Sequence, residues 1–192
     1  MEGSNVYNVT AKIFRKINQT KDTSSTRALL ANIRNSINKS SSNSLDALAF
    51  VFNNMPEEYI GFGKELNDYE QAILTAIQMY ALHQQSNEKS VLKIEYNEDE
   101  NLGDALSTLR GPDNKSIDRR FNAMILSSNF VQLQNHLRQF IKLLKAKSDA
   151  KVDYAGVAYD LFWFLKNQKD RVKIEWSRSY YKFRKTNDKG EN

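Results

Sequence analysis

The sequence predicts an all-α protein of two small helical bundles packed together, and three features of its 192 residues carry that reading. Apolar residues recur at spacings of three and four along nearly the whole chain, which is the pattern of a buried helix face. Only two prolines and seven glycines occur, too few for the many turns of a sandwich or barrel. Most of the periodic segments also follow a Ser, Thr, Asn or Asp that can cap a helix.

Val9, Ile13, Phe14 and Ile17 define a short first helix. A second starts at Ser24, Ser25 or Thr26, with Leu29, Leu30, Ile33 and Ile37 on one face and Arg27 and Arg34 stacked on another. The Ser-rich run from Asn38 to Ser44 reads as a loop, and Ser44 as the cap of a third helix ending near Met55-Pro56. Asn67 or Asp68 opens a long helix with Tyr69, Ala72, Ile73, Ala76, Ile77 and Tyr80 inward. Residues 85–100 break the periodicity and end in acids, although Val91 to Tyr96 alternates enough for a short strand. This break divides the chain into an N-terminal helical domain over 1–90, an acidic linker over 91–100, and a C-terminal helical domain with a basic face over 101–192.

In the second domain a short helix at Leu102–Leu109 leads to a Gly111-Pro112-Asp113-Asn114 turn. Helices follow at about 117–128, 130–147, 153–166 and 170–185, with start signals at Ser116, Asn129 and Asp153. The last places Val172, Trp176, Tyr180 and Phe183 inward and Arg171, Arg178, Lys182 and Lys185 on a second face. Trp176, Tyr180 and Tyr181 could stack on bases, but aromatics at helical spacing are more often core.

Several function classes fall away on composition. With no cysteine there is no disulfide, zinc-thiolate site, iron-sulfur cluster or thiol nucleophile, and no glycine-rich phosphate loop is present. No apolar run approaches the roughly 18 residues of a membrane span, and Met1 to Asn5 lacks the form of a signal peptide, so a cytoplasmic protein is expected. His83 and His136 are the only histidines, and neither has a carboxylate at helical spacing to orient it, so catalysis is not expected. Glu98-Asp99-Glu100 lacks the alternating ligands and glycine of a calcium loop and reads as a solvated linker. No metal or cofactor is implied.

Charge is the positive signal. Residues 1–96 hold ten basic and ten acidic side chains, so the whole net charge of +5 belongs to the second half. From Arg119 to Ser148 there are six cations and no acid. Within that stretch Phe130, Leu133, Leu137, Phe140, Ile141 and Leu144 form a core face, while Arg138, Lys142 and Lys145 follow at i, i+4 and i+7 on another. Three cations on one helix face repel one another unless an anion compensates them, and a phosphate backbone would do so. Arg119 and Arg120 point about 100° apart, so one of them can flank the core and pair with Asp118 or Asp160 while the other projects. No base-reading motif accompanies these cations, so the expected grip is on backbone.

The order of short motifs in the second half is that of a known family. Asn101-Leu102-Gly103-Asp104-Ala105-Leu106, Asp118-Arg119-Arg120-Phe121, His136-Leu137-Arg138 with Leu143-Leu144-Lys145, Val152-Asp153-Tyr154-Ala155, Tyr159-Asp160-Leu161 with Trp163, and Val172 to Trp176 with Tyr180-Tyr181 together resemble the CasB family. That family is the small subunit of the type I-E CRISPR Cascade complex. The resemblance spans about residues 98–183, with support from Thr26-Arg27-Ala28 to Arg34 and from Tyr69 to Leu82.

The resemblance implies two small helical domains, no catalysis, and packing against the Cascade backbone and large subunits beside a second copy of the chain. It also implies a basic surface that holds target and displaced DNA while CRISPR RNA supplies sequence specificity. The matching positions are Arg27, Arg34, Arg119, Arg120, Arg138, Lys142 and Lys145. The leading expectation is thus a non-catalytic Cascade subunit that binds nucleic-acid backbone and stabilises the opened DNA. The alternative is a helical adaptor whose basic face docks an acidic protein.

Overall fold

The computed structural model describes residues 2–37, 45–95, 97, 100–111 and 113–182. Among the described residues, nine α-helices run in order: α1 Glu2–Gln19, α2 Ser24–Asn35, α3 Leu45–Phe52, α4 Asp68–Gln84, α5 Leu102–Ser107, α6 Lys115–Ile125, α7 Phe130–Lys147, α8 Tyr154–Leu165 and α9 Lys169–Tyr181. A single 3-10 turn at Glu57–Tyr59 separates α3 from α4. The expected Ser-rich loop, the Ser44 cap, Tyr96, Glu98, Asp99, Pro112, Phe183 and Lys185 lie outside the described residues.

Helix starts follow local hydrogen bonding. Asn67, Asn129 and Asp153 cap α4, α7 and α8 as their positions suggest, each side chain accepting from a backbone N–H in the first turn. Two starts differ from expectation. The cap of α2 is Thr23, whose hydroxyl accepts from the Thr26 amide at 3.2 Å and also donates to the Thr20 carbonyl at 2.8 Å. That second bond ties the cap to the end of α1, where Thr26 Oγ1 also donates to Thr20 Oγ1 at 2.8 Å. Helix α6 begins at Lys115 behind Asn114, and Ser116 falls inside its first turn. The first helix is longer than its apolar core, beginning at Glu2 and burying Val6.

Helix α4 is the axis of the molecule. It packs against α1, α2, α3, α7 and α8, and every residue from Ala72 to His83 is buried. A helix packed against five others loses the one-faced pattern from which its inward residues were read. Helix α8 lies against both α1 and α4, so Tyr154 meets Phe14 and Tyr80 in one aromatic cluster with centroids 5.6 to 5.9 Å apart. The buried hydrophobics form a single core that runs through both halves of the sequence.

The irregular segment after α4 is anchored. Leu92 makes an isolated parallel bridge to Val152, in which Val152 N–H donates to Val91 O at 2.9 Å and Lys93 N–H donates to Val152 O at 3.0 Å. The alternating residues therefore satisfy two backbone groups against the lead-in to α8. Asn101 then caps α5 in a reciprocal box with Asp104, which assigns that carboxylate to the helix end. Glu100 pairs with Lys93, and no cluster able to hold a metal ion occurs among the described residues. No described helix is long and apolar enough to cross a membrane.

Candidate nucleic-acid interface

One face of α4 is left as the floor of a groove. Its residues Gln71, Leu74, Thr75 and Gln78 line a cleft of about 320 Å³, and Ala81, Gln84 and Gln85 line a second of about 380 Å³. These positions recur at three and four, so the two clefts follow the same side of one helix for about 21 Å at 1.5 Å per residue. Helix α2 and its exit supply one bank, with Arg27, Leu30 and Arg34 beside the second cleft and Ser36 and Ile37 beside the first. Helix α7 supplies the other through Val131, Gln134, Asn135 and Arg138.

Side-chain bonds hold both banks to the floor. Gln78 Nε2 donates to Ser36 Oγ at 2.9 Å, Gln134 Nε2 donates to Thr75 Oγ1 at 2.7 Å, and Lys145 Nζ donates to Gln85 Oε1 at 2.9 Å. These contacts are to amides and hydroxyls, and the only carboxylates among the lining residues of the two clefts are Asp22 and Glu88 of the second. Arg138 Nε is buried and has no hydrogen-bond partner among the described residues. Lys145 is held below the ordinary lysine value, first by burial and then by the positive charge of Arg34. Its field also reaches His83 in the core.

The structure thus places Arg27 and Arg34 in the second cleft and Arg138 in the first, with Lys145 bonded to Gln85 of the second and within electrostatic reach of Arg34, although α2 and α7 are about a hundred residues apart in the chain. Lys142 is exposed on the same side of α7, between Arg138 and Lys145. Arg27 also lies 4.0 Å from the exposed Asp22. Solvent on both partners leaves that pair worth little. Lys21 lines the second cleft and joins the set. No periodic argument could find it, because it stands in the turn between two helices.

Arg119 and Arg120 line neither cleft, and both are exposed on α6. The expected pairing of one of them with Asp118 or Asp160 does not form, because both carboxylates are engaged elsewhere. Asp118 takes a two-pronged contact from Arg110 at 3.1 and 3.3 Å and the Tyr180 hydroxyl at 2.7 Å, while Asp160 accepts from Trp176 Nε1 at 2.6 Å. The aromatics of α9 are mostly committed too. Trp176 and Tyr180 are buried, and Tyr180 stacks on Phe121 with centroids 3.7 Å apart. Arg171 is bound to Glu175 and Tyr159.

His83 is a core residue. Its Nδ1 lies 2.9 Å from the Tyr154 hydroxyl, and burial with the nearby Lys145 charge lowers its pKa to about 4. The imidazole enclosed in this way lines neither of the two clefts.

The family model for CRISPR-associated protein Cse2 matches residues 29–181, most of the chain. The chain belongs to the Cse2 family. The matched span includes the groove from Leu30 to Lys145 and helices α3 to α9 complete. The crystal structure of CasB from Thermobifida fusca superposes with a TM-score of 0.71 at 23% identity, covering 92% of this chain and 97% of that one. It shares the all-helical fold. No curated protein sequence matches significantly. Cse2 membership indicates a subunit of a CRISPR Cascade complex.

Proposed function

We propose that this Cse2-family chain is the non-catalytic small subunit of a type I-E Cascade complex, and that its α2–α4–α7 groove grips nucleic-acid backbone. In that role it packs with the backbone and large subunits and a second copy of itself, and stabilises target and displaced strands of the opened DNA. The observation that carries the reading is the placement of Arg34 within electrostatic reach of Lys145, with Arg138 Nε unpartnered in the neighbouring cleft along α4. Cations clustered in excess over nearby carboxylates are stabilised when an external polyanion enters.

Dimensions support this reading. A floor of about 21 Å accommodates roughly six nucleotides at the 3.4 Å rise of one stacked strand. The walls offer amides, hydroxyls and aliphatic carbons beside four cations and the carboxylates of Asp22 and Glu88, a mixture without the pattern of a base-reading set, which suits backbone contact with specificity delegated to RNA pairing.

The test is retention of target DNA by the assembled complex across a salt series. The variant combines Arg34→Ala, Arg138→Ala, Lys142→Ala and Lys145→Ala. Binding should weaken for every target sequence, and the slope of log affinity against log salt should become shallower by up to about three to four units. An unchanged affinity and slope would sink the groove. Arg119→Ala with Arg120→Ala forms a separate arm, which measures what the exposed pair on α6 adds.

A further inference from the structure

A second surface lies on the segment between α3 and α4, where Gly61-Phe62-Gly63 carries a fully exposed phenyl ring. Single exposed aliphatics are ordinary on a soluble protein. Phe62 differs in the rigidity of its mount. The buried carboxylate of Glu70 accepts from Gly61 N–H at 2.7 Å and from Asn67 N–H at 2.8 Å, while Asn67 Nδ2 donates to Tyr59 O at 2.8 Å. Tyr59 stacks on Tyr69, and Tyr69 lies tilted against Phe162 of α8, both pairs with centroids 4.6 Å apart. A Cβ at Gly61 would sit 3.1 Å from Asn67 Nδ2, so glycine lets the strand of the loop lie tightly on its brace. The phenyl ring is therefore held out by a loop that is already ordered, which lowers the entropy lost when it docks.

We infer that Phe62 is the anchor of a protein-docking surface, and that it enters an apolar pocket rimmed by Lys or Arg on another subunit of the complex. Charge selects the partner. The segment from Pro56 to Leu66 carries exposed Glu57, Glu58 and Glu65 against one Lys64. Excess negative charge repels phosphate and disfavours stacking on a nucleobase, whereas it complements a cationic rim on a protein. A buried aromatic surrounded by a polar border is the usual form of an interface hot spot. The inference rests on the Cascade reading for the identity of the complex, but not on the groove.

The experiment measures binding of the purified chain to RNA-loaded Cascade assembled without it and immobilised through a different subunit. The variants are Phe62→Ala and the charge reversal Glu57→Lys, Glu58→Lys, Glu65→Lys. Phe62→Ala should weaken binding roughly thirtyfold, mainly through faster dissociation. The charge reversal should slow association at low salt, and both variants should keep the parent melting temperature. Equal binding of the parent and Phe62→Ala overturns the anchor and leaves the groove proposal standing. Loss of oligonucleotide binding by isolated Phe62→Ala overturns it in favour of base stacking. Failure of the parent chain itself to bind overturns the Cascade reading and the anchor with it.

Discussion

The hydroxyl of Tyr154 and Nδ1 of His83 meet at 2.9 Å in the core, joining α8 to the last turn of α4 across 71 residues of sequence. Burial is the main reason the imidazole titrates only at about pH 4, with the Lys145 charge adding to it. The unfolded chain takes that proton near the ordinary histidine value of about 6.5. Between those two values the unfolded state holds more protons, so the contribution of His83 is intact above about pH 6.5 and is lost as the pH falls toward 4. The span corresponds to about 3 kcal/mol. Replacing His83 by Gln, which keeps a polar partner for Tyr154, should abolish this contribution, so that the stability difference between parent and variant changes across urea titrations at pH 4.5, 5.5 and 7. A variant curve parallel to the parent would show that the histidine does not carry it.

Asp160 works in the opposite direction. Its buried carboxyl accepts from Trp176 Nε1 at 2.6 Å, and burial, only partly offset by that bond, raises its pKa to about 7. Here the folded state holds the extra proton from about pH 4 to 7, so stability falls as the pH rises through that window. The two slopes largely cancel in the parent, which predicts a flat stability profile between about pH 4.5 and 6.5. Asp160→Asn retains an acceptor for the indole and should stabilise the protein at pH 8 by about 2 to 4 kcal/mol while changing little at pH 4.5. A loss of stability at pH 8 would mean that the ionised carboxylate is needed by Trp176.

Gly103 sets the spacing between α5 and α9. A Cβ there would fall 2.1 Å from the carbonyl oxygen of Trp176 and 3.0 Å from Ser179 Cβ, so the helices would have to part. Gly103→Ala should cost about 1 to 3 kcal/mol by overpacking, lowering the melting temperature by roughly 3 to 10 °C. Gly111 has nothing within 4 Å of the same added atom, and Gly111→Ala is the control expected to leave melting unchanged. Equal melting of both variants would show that α5 does not need this contact.

The fold was legible where one helix face met one partner. On α7 the apolar residues Leu133, Leu137, Phe140, Ile141 and Leu144 are all buried as their spacing indicates, and the Asn129 cap fixes the start. On α4 the same logic under-read the burial, because five helices surround it and Gln78, Thr75 and His83 are enclosed along with the apolar residues. Counting charge by halves of the chain separated Arg34 from Lys145, which folding brings within electrostatic reach of each other. The α7 cations were legible as a stripe, but nothing in spacing joins that stripe to α2, so a groove with one bank from each helix has no local signature. Phe62 is equally silent in sequence, where one phenylalanine between glycines looks like any loop residue until Glu70 and Asn67 are seen to hold that loop still.

Arg138 offers the sharpest separation of stability from binding. Its Nε is buried without a partner on the wall of the first cleft, a state in which a charged group opposes folding. Met keeps much of the length and the aliphatic packing while removing the charge. Arg138→Met should therefore raise the melting temperature of the isolated chain by roughly 1 to 4 °C. The same variant should weaken DNA retention by the complex about tenfold, with a salt slope shallower by about one unit. A change of opposite sign in the two measurements is what a residue kept for an anion requires. If both fall together, Arg138 is a structural residue, and the grip must come from Arg34, Lys142 and Lys145 alone.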